Sequence, residues 1–448
     1  MKTSIFSVVI EKYGWLADMH ITDFFVDNHW NRLPKIWQKS FTDFHPSQWL
    51  EIIDGRLENA KIVLPLSFIC FYNVLKVNSL RRTAVTGPKQ FAYQCCFDKT
   101  SSDKIIDAGC GLGHLSRHLA LRFHLNNKLL SIIAIEKNNY LYKRCDQLDQ
   151  LISDRIERRL LNDPLYSNAS TFILPNRIKL SVDKNSNLYS NKNSCDKLKC
   201  VIGLHACGDF SAMLLHHFIA RSDIAVLILF PCCYHKFSVY DNSHRQKWKQ
   251  TDEQYNTAAK YFPMSKVCQS FSLGYLSQEL ACHAIERFAK NTDRFRDSIH
   301  KIHCYRAILE WLFNKLREKD KSSLHTYKHL GLKSVKISDH MTFFQYMEKA
   351  LANRQHILIK IDDLLQNEPW IHTKVEEMIG RWKDVFAFYC LRMLMAPFIE
   401  TILLEDRRYL IKEYGHDAFL IPVFDPLISA RNLALICIKK KDCSSNFS

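Results

Sequence analysis

The pattern of apolar and polar positions changes character twice along the chain. Up to about residue 100 the apolar positions fall at helical spacing and are rich in rings. Asp23-Phe24-Phe25-Val26-Asp27-Asn28-His29-Trp30 leads into Leu33-Pro34-Lys35-Ile36-Trp37, and Trp49-Leu50-Glu51-Ile52-Ile53-Asp54-Gly55 predicts a helix ending at glycine. Rings at this spacing point to a packed helical core. From Lys104 onward, short runs of Ile, Val and Leu alternate with helical stretches, the pattern of a parallel sheet covered on both faces. The runs Ile105-Ile106-Asp107, Leu130-Ser131-Ile132-Ile133-Ala134-Ile135-Glu136, Val201-Ile202-Gly203-Leu204-His205 and Ala225-Val226-Leu227-Ile228-Leu229-Phe230 predict strands. A weaker run, Arg177-Ile178-Lys179-Leu180-Ser181-Val182, sits among polar residues, and 183–199 reads as a polar surface loop.

Roughly 180 residues then pass without a convincing strand, far too many for a connection, so they must fold on their own. Residues 304–316, 341–352 and 382–404 show helical spacing. The chain then turns strand-like again, with Ala418-Phe419-Leu420-Ile421-Pro422-Val423-Phe424 and Asn432-Leu433-Ala434-Leu435-Ile436-Cys437-Ile438 predicting an antiparallel hairpin. The division this gives is a helical N-terminal region over 1–100, an α/β core over 101–238, a helical insertion over 239–416, and a hairpin over 417–440 that completes the sheet.

Composition narrows the classes. The chain has 448 residues, 47% of them hydrophobic and 24% charged, which excludes collagen-like and mostly disordered chains. Lys and Arg number 62 against 46 Asp and Glu, a formal charge of +16 that favours anionic partners, nucleic acid before a membrane surface. No DNA-reading motif is evident. The 16 cysteines, in a chain of this size with no secretory signal evident, read as mostly free thiols of a reducing compartment, cytoplasmic or nuclear. The apolar stretch 387–404 carries Arg392 and Glu400, so no membrane span is expected.

The sharpest feature is Ile105-Ile106-Asp107-Ala108-Gly109-Cys110-Gly111-Leu112-Gly113-His114-Leu115-Ser116: a strand ending in an acid, a three-glycine turn, then a helix. Glycines there supply unusual dihedrals and let backbone lie against a ligand. A dinucleotide fingerprint would place its third glycine at His114, so NAD is disfavoured. Gly109, Gly111 and Gly113 after Asp107 are similar to motif I of class I S-adenosylmethionine-dependent methyltransferases. In that reading Asp107 orients the amino-acid end of the donor, Glu136 accepts the ribose hydroxyls, and Asp183 accepts the adenine amino group. The C-terminal hairpin resembles the one that inserts an antiparallel strand into the Rossmann-like sheet of these enzymes.

A second constellation lies at the ends of the fourth and fifth strands. Gly203-Leu204-His205-Ala206-Cys207-Gly208-Asp209 and Phe230-Pro231-Cys232-Cys233-Tyr234-His235-Lys236 should meet at the carboxyl edge, where ligands bind. Three readings stay open. His205, Cys207, Asp209, Cys233 and Tyr234 form a substrate or cofactor site, with His205 or Asp209 taking a proton from the acceptor; Cys207, Cys232, Cys233 and a histidine bind zinc; or the thiols are small packing residues. The spacing is not a Cys-x-x-Cys pair and adjacent ligands are geometrically awkward, so no metal is expected.

Asp107 to Ser116, Gly203-Leu204-His205-Ala206-Cys207-Gly208-Asp209-Phe210-Ser211, Cys232-Cys233-Tyr234, His303-Cys304-Tyr305-Arg306-Ala307 and Ala396-Pro397-Phe398-Ile399-Glu400-Thr401 together resemble the methyltransferase-like protein 25 family. The likeness covers nearly the whole chain and is nearest to the 25B branch, whose name mentions ribosomal RNA adenine dimethylase. It implies S-adenosylmethionine as cofactor and a methyl acceptor that the motifs do not name. The chain departs from the family in a shortened basic segment before motif I, where Gly87-Pro88-Lys89-Gln90 remains, and in Leu229-Phe230-Pro231, which replaces a glycine. Enzymes acting on adenine amines resemble one another in an Asn/Asp-Pro-Pro/Leu-Tyr/Phe motif after the fourth strand; His205-Ala206-Cys207-Gly208 stands there, against adenine N6 chemistry. The His-x-Cys-Gly and Cys-Cys-Tyr-His elements look like those of certain tRNA 2′-O-methyltransferases, which with the basic charge favours RNA. The alternatives are an inactive methyltransferase fold that binds RNA or protein, and an enzyme acting on protein or small molecules.

Overall fold

The computed structural model describes residues 2–60, 62–83, 104–125, 130–161, 173–182, 198–237, 261–290, 297–319 and 327–440. The chain divides into two compact units. One comprises Met1–Leu80, Val239–Phe262 and Ser270–Ile402; the other comprises Arg81–Ser238, Pro263–Gln269 and Leu403–Ser448.

The second unit holds a seven-stranded sheet in the order β3-β2-β1-β4-β5-β7-β6. Its strands are β1 (Lys104–Ala108), β2 (Ser131–Glu136), β3 (Asn176–Lys179), β4 (Lys199–Cys207), β5 (Ile224–Cys232), β6 (Asp417–Pro422) and β7 (Leu433–Ile438). Strands β1 to β5 pair in parallel, while β7 runs antiparallel to both β5 and β6. Parallel neighbours need crossovers, and helices His114–Leu125, Asn139–Leu161 and Asp209–Ala220 supply them after β1, β2 and β4.

Residues alternate between the two faces with the period of a strand. Ile105, Ile132, Cys200, Val226, Ile228, Ala434 and Ile436 belong to one apolar cluster with Ala120 of the first crossover helix. Their neighbours Ile106, Ile135, Val201, Leu227, Leu229, Leu435 and Cys437 belong to the other, with Leu214, Leu215 and Phe218 of helix Asp209–Ala220. Each Ile, Val or Leu side chain among them contributes about 1.5–3 kcal/mol on full burial, so two covered faces dominate the stability of this unit.

The first unit is helical. Its N-terminal rings pack on one another: Trp37 meets Phe68 edge-on at 5.4 Å, Phe41 lies 4.9 Å from Trp49, and the Trp37 indole N–H donates to Ser67 Oγ at 2.8 Å. The aromatic stretch is therefore core. Helix Trp382–Glu413 is the single helix among the described residues long and apolar enough to cross a membrane, and 89% of its apolar window is buried. Arg392, buried within it, donates to the carbonyls of Leu16 and Ala17 at 3.3 Å each.

Three histidines of this unit are held neutral chiefly by burial: His20 and His303 are pushed down to about 3 and His29 to about 4. His329 goes the other way. Burial opposes charge at both His329 and Asp23, yet the 2.8 Å hydrogen bond between them wins, raising His329 and lowering Asp23. The unfolded chain takes up histidine protons near pH 6.5 and the folded unit resists three of them. Stability is thus lost as pH falls below about 6.5, at up to about 1.4 kcal/mol per histidine per pH unit; His329 leaves that slope unchanged, because the stability it contributes is complete below the unfolded value and is lost only as pH rises through its raised one. Urea unfolding followed by far-ultraviolet circular dichroism should show a clearly lower midpoint at pH 5 than at pH 7; an equal or higher midpoint at pH 5 contradicts this account.

Candidate active site

The loop after β1 is built from backbone that only glycine adopts easily. Gly109, Gly111 and Gly113 all have left-handed φ, at 76°, 56° and 73°. The N–H groups of Gly109 and Cys110 both donate to the Ile135 carbonyl at 2.9 Å, which ties the loop to the end of β2. The three glycines then differ in what surrounds them. A Cβ on Gly113 would lie 2.5 Å from Cys145 Sγ and 2.6 Å from the Arg177 guanidinium, so this position is needed for close packing. A Cβ on Gly109 would come within 3.1 Å of the Phe210 ring. A Cβ on Gly111 would meet nothing within 4 Å. At that residue the loop offers bare backbone to open space.

Glu136, the last residue of β2, faces the same place. One carboxylate oxygen accepts the Gly111 N–H at 3.0 Å and the other accepts the Asn138 N–H at 2.8 Å. Asn138 in turn accepts the N–H groups of Tyr140 and Leu141 through Oδ1, capping helix Asn139–Leu161. A carboxylate oxygen can accept more than one hydrogen bond, so Glu136 keeps capacity for a hydroxyl donor.

Beneath the loop lies a charged network with little exposure. Asp149 accepts from Arg117 Nη1 at 2.6 Å and from Arg177 at 2.7 and 2.9 Å. Arg177 also donates to Ser116 Oγ at 3.0 Å, and that hydroxyl donates to Asp107 Oδ2 at 2.7 Å. Arg117 Nη2 closes the circuit on the loop itself, donating to the Leu112 carbonyl at 2.5 Å. Two guanidinium groups thus face two carboxylates. Asp107 is buried, and its carboxyl is raised above the usual range by that burial, which the Ser116 hydrogen bond partly opposes.

At the next two strands the register sets Cys207 of β4 directly opposite Cys232 of β5. Their sulfurs are 3.0 Å apart, and the sulfurs of Cys207, Cys232 and Cys233 all lie within 4.8 Å of one another. Hydrogen bonding from Cys232 pulls the Cys207 thiol down to about 6, while the Cys232 thiol is raised by that same bond. Burial raises Cys233. Gly208, at φ 53° and ψ −130°, donates its N–H to the Cys232 carbonyl at 2.9 Å, and a Cβ there would strike the Lys236 carbonyl oxygen at 2.6 Å.

The other candidates divide by exposure. His205 is exposed on β4, and Asp209 opens helix Asp209–Ala220 half-buried. Tyr234 is buried, and its hydroxyl donates to the Pro231 carbonyl at 3.4 Å, which fixes the turn carrying Cys232 and Cys233. Asp183 and the segment 84–103 before the glycine loop, with the shortened stretch 87–90, lie outside the described residues. Sequence reasoning missed Asp149, Arg177, Ser116 and Phe210. Gly208 was in view, but only the contact with Lys236 shows why it must be glycine.

Both constellations lie at the carboxyl ends of parallel strands. Strand β1 sits where the order reverses, with β2 and β3 on one side and β4 and β5 on the other, and ligands bind at such a switch point. Residues 87–239 match the family model described as a methyltransferase domain. The sheet is a methyltransferase fold. Its antiparallel β7 between β5 and β6 is the arrangement the hairpin predicted. The chain is similar to the protein named probable methyltransferase-like protein 25 of Homo sapiens, 29% identical over 246 residues, and to that of Mus musculus, 27% identical over 246 residues. Each match covers 54% of this chain and 37% of the relative, so the chain spans little more than a third of the length of the curated relatives it matches. These names agree with the resemblance read from the motifs, and they do not distinguish the 25B branch.

Asp149→Ala would leave Arg117 and Arg177 without their shared carboxylate. Removing one partner of a buried ion pair costs about 3–5 kcal/mol. Chemical denaturation should therefore show a large loss of stability for Asp149→Ala and much less for Asp154→Ala on the same helix; similar small losses for both would show that the network does not hold the loop.

Proposed function

We propose that the chain is an S-adenosylmethionine-dependent methyltransferase acting on RNA. The observation that carries the donor assignment is the open backbone at Gly111 beside the Glu136 carboxylate, at the switch point of a sheet with the methyltransferase strand order. The residues suit the donor chemically. Glu136 would accept ribose hydroxyls, and the loop from Gly109 to Gly113 would lie against the nucleoside because at Gly111 no side chain intervenes. Asp107 is a positioning residue on this reading, holding Ser116 and through it Arg177 behind the loop. Asp183 would contact the adenine amine.

The donor, when bound, supplies an electrophilic methyl carbon on a sulfonium. The protein's task is then to hold the acceptor in line, which requires placement more than a strong base. His205, exposed at the end of β4, is suited to orient a hydroxyl and take its proton, and Asp209 lies four residues further on at the start of the helix. The formal charge of +16 supports a polyanionic acceptor.

Calorimetric titration with S-adenosylhomocysteine should give saturable binding that Glu136→Ala weakens by at least about tenfold, or 1.4 kcal/mol. Gly111→Asn should do the same, since asparagine tolerates left-handed backbone while its side chain fills the open space. Unchanged binding in both variants would remove the donor pocket from this loop. With tritiated donor, label should appear in the RNA fraction of an extract and binding to RNA should weaken steeply with salt. Label only in protein or small molecules would overturn the RNA acceptor, and donor binding without any transfer would point to an inactive binding module.

A further inference from the structure

The three thiols at the ends of β4 and β5 form a constellation of their own. Two features oppose reading them as packing residues. Their sulfurs converge within 4.8 Å, although the three residues come from two strands and a turn. Cys233 also holds a left-handed backbone, φ 51° and ψ 51°, a conformation that costs a residue with a Cβ on the order of 1–2 kcal/mol. Successive residues of a strand point to opposite faces, so Cys232 and Cys233 in extended backbone could not share a centre. The turn at Cys233 removes that obstacle by bringing its sulfur round beside that of Cys232. Adjacent cysteines in extended backbone are awkward ligands for one ion, and this left-handed turn, which the sequence does not announce, makes the pair compatible. The surroundings fix the arrangement: Gly208 ties the Cys207 end of β4 to the Cys232 carbonyl, and the Lys236 N–H donates to the Cys233 carbonyl at 2.8 Å.

We propose that Cys207, Cys232 and Cys233 bind a zinc ion as three thiolates, with the fourth position left for water or a substrate atom. Zinc takes thiolate sulfur at about 2.3 Å in tetrahedral geometry, which sets the sulfurs about 3.8 Å apart. Loading the site therefore opens the Cys207–Cys232 separation from 3.0 Å by less than an ångström and keeps the trio within its present span. Three protein ligands with an open position are the pattern of zinc sites that do chemistry rather than hold a fold together. The protons leave the thiols as the ion binds, so affinity falls as pH is lowered. This assignment concerns β4 and β5 alone and stands whether or not the glycine loop binds the methyl donor.

The test uses the full chain, stripped with chelator under reducing conditions and then loaded with one equivalent of zinc or cobalt(II). Elemental analysis after gel filtration should find about one zinc per chain, and cobalt(II) should give near-ultraviolet sulfur-to-metal charge-transfer bands with the visible intensity of a tetrahedral site. Cys207→Ser and Cys233→Ser should each lose the bands and at least most of the zinc, whereas Cys70→Ser, at an exposed thiol, should keep both. Circular dichroism checks that the variants are folded, and the cobalt spectrum of the wild type decides the matter should either fail to fold. Absence of charge-transfer bands in the wild type overturns the proposal. So does their persistence in both variants, or a Cys207–Cys232 disulfide in peptide maps of protein kept under reductant. Zinc lost on substituting His20 or His329, which with Asp23 form the other ligand-type cluster among the described residues, would place the ion elsewhere.

Discussion

The site rests on one buried carboxylate shared by two arginines. Asp149 accepts from both Arg117 and Arg177, and each arginine then reaches the segment around the glycine loop, Arg117 at the Leu112 carbonyl and Arg177 at Ser116. A chain of left-handed glycines has little rigidity of its own, since glycine restricts its backbone less than any other residue. What makes it a defined surface is the layer below, where charges removed from water must stay paired or incur a large penalty. That requirement transmits order from helix Asn139–Leu161 and from β3 to a loop nearly 40 residues from either arginine's common partner, and it explains why Gly113 must be bare: the Arg177 guanidinium and the Cys145 sulfur occupy the space a side chain would need.

Much of this architecture was legible in the sequence because the sheet is made of Ile, Val and Leu runs buried on both faces, bounded by polar turns. The hairpin was legible for the same reason, and its alternating runs locate β6 and β7 to within a few residues. The strand ends were not. Strand β4 continues to Cys207 and β5 to Cys232, because the register between them extends the pairing through residues that individually look like loop. The Arg117–Asp149–Arg177 network was invisible, since its members are spaced 28 and 32 residues apart and each reads singly as a solvated charge. The left-handed turn at Cys233 was invisible too: a glycine would have advertised it, and a cysteine does not.

On the proposed reading, the two constellations would divide the labour of a group-transfer site between different physical means. Around Gly111 and Glu136 the means are absence of side chains and one well-placed carboxylate, which suit a flat nucleoside with a diol. Around Cys207, Cys232 and Cys233 they are convergent soft ligands on strained backbone, which suit an ion. Phe210, packed against Gly109 and standing next to Asp209 at the start of the following helix, connects the chain of one to the loop of the other. The family match reaches across both, from residue 87 to residue 239.

The most direct test of the donor pocket is amide hydrogen exchange with and without S-adenosylhomocysteine. Exchange should slow in peptides covering residues 105–116 and 131–140, because the ligand would cover the glycine loop and hold the Glu136 carboxylate that already binds the amides of Gly111 and Asn138. Unchanged exchange in both segments at saturating ligand, or protection confined to other parts of the chain, would contradict it.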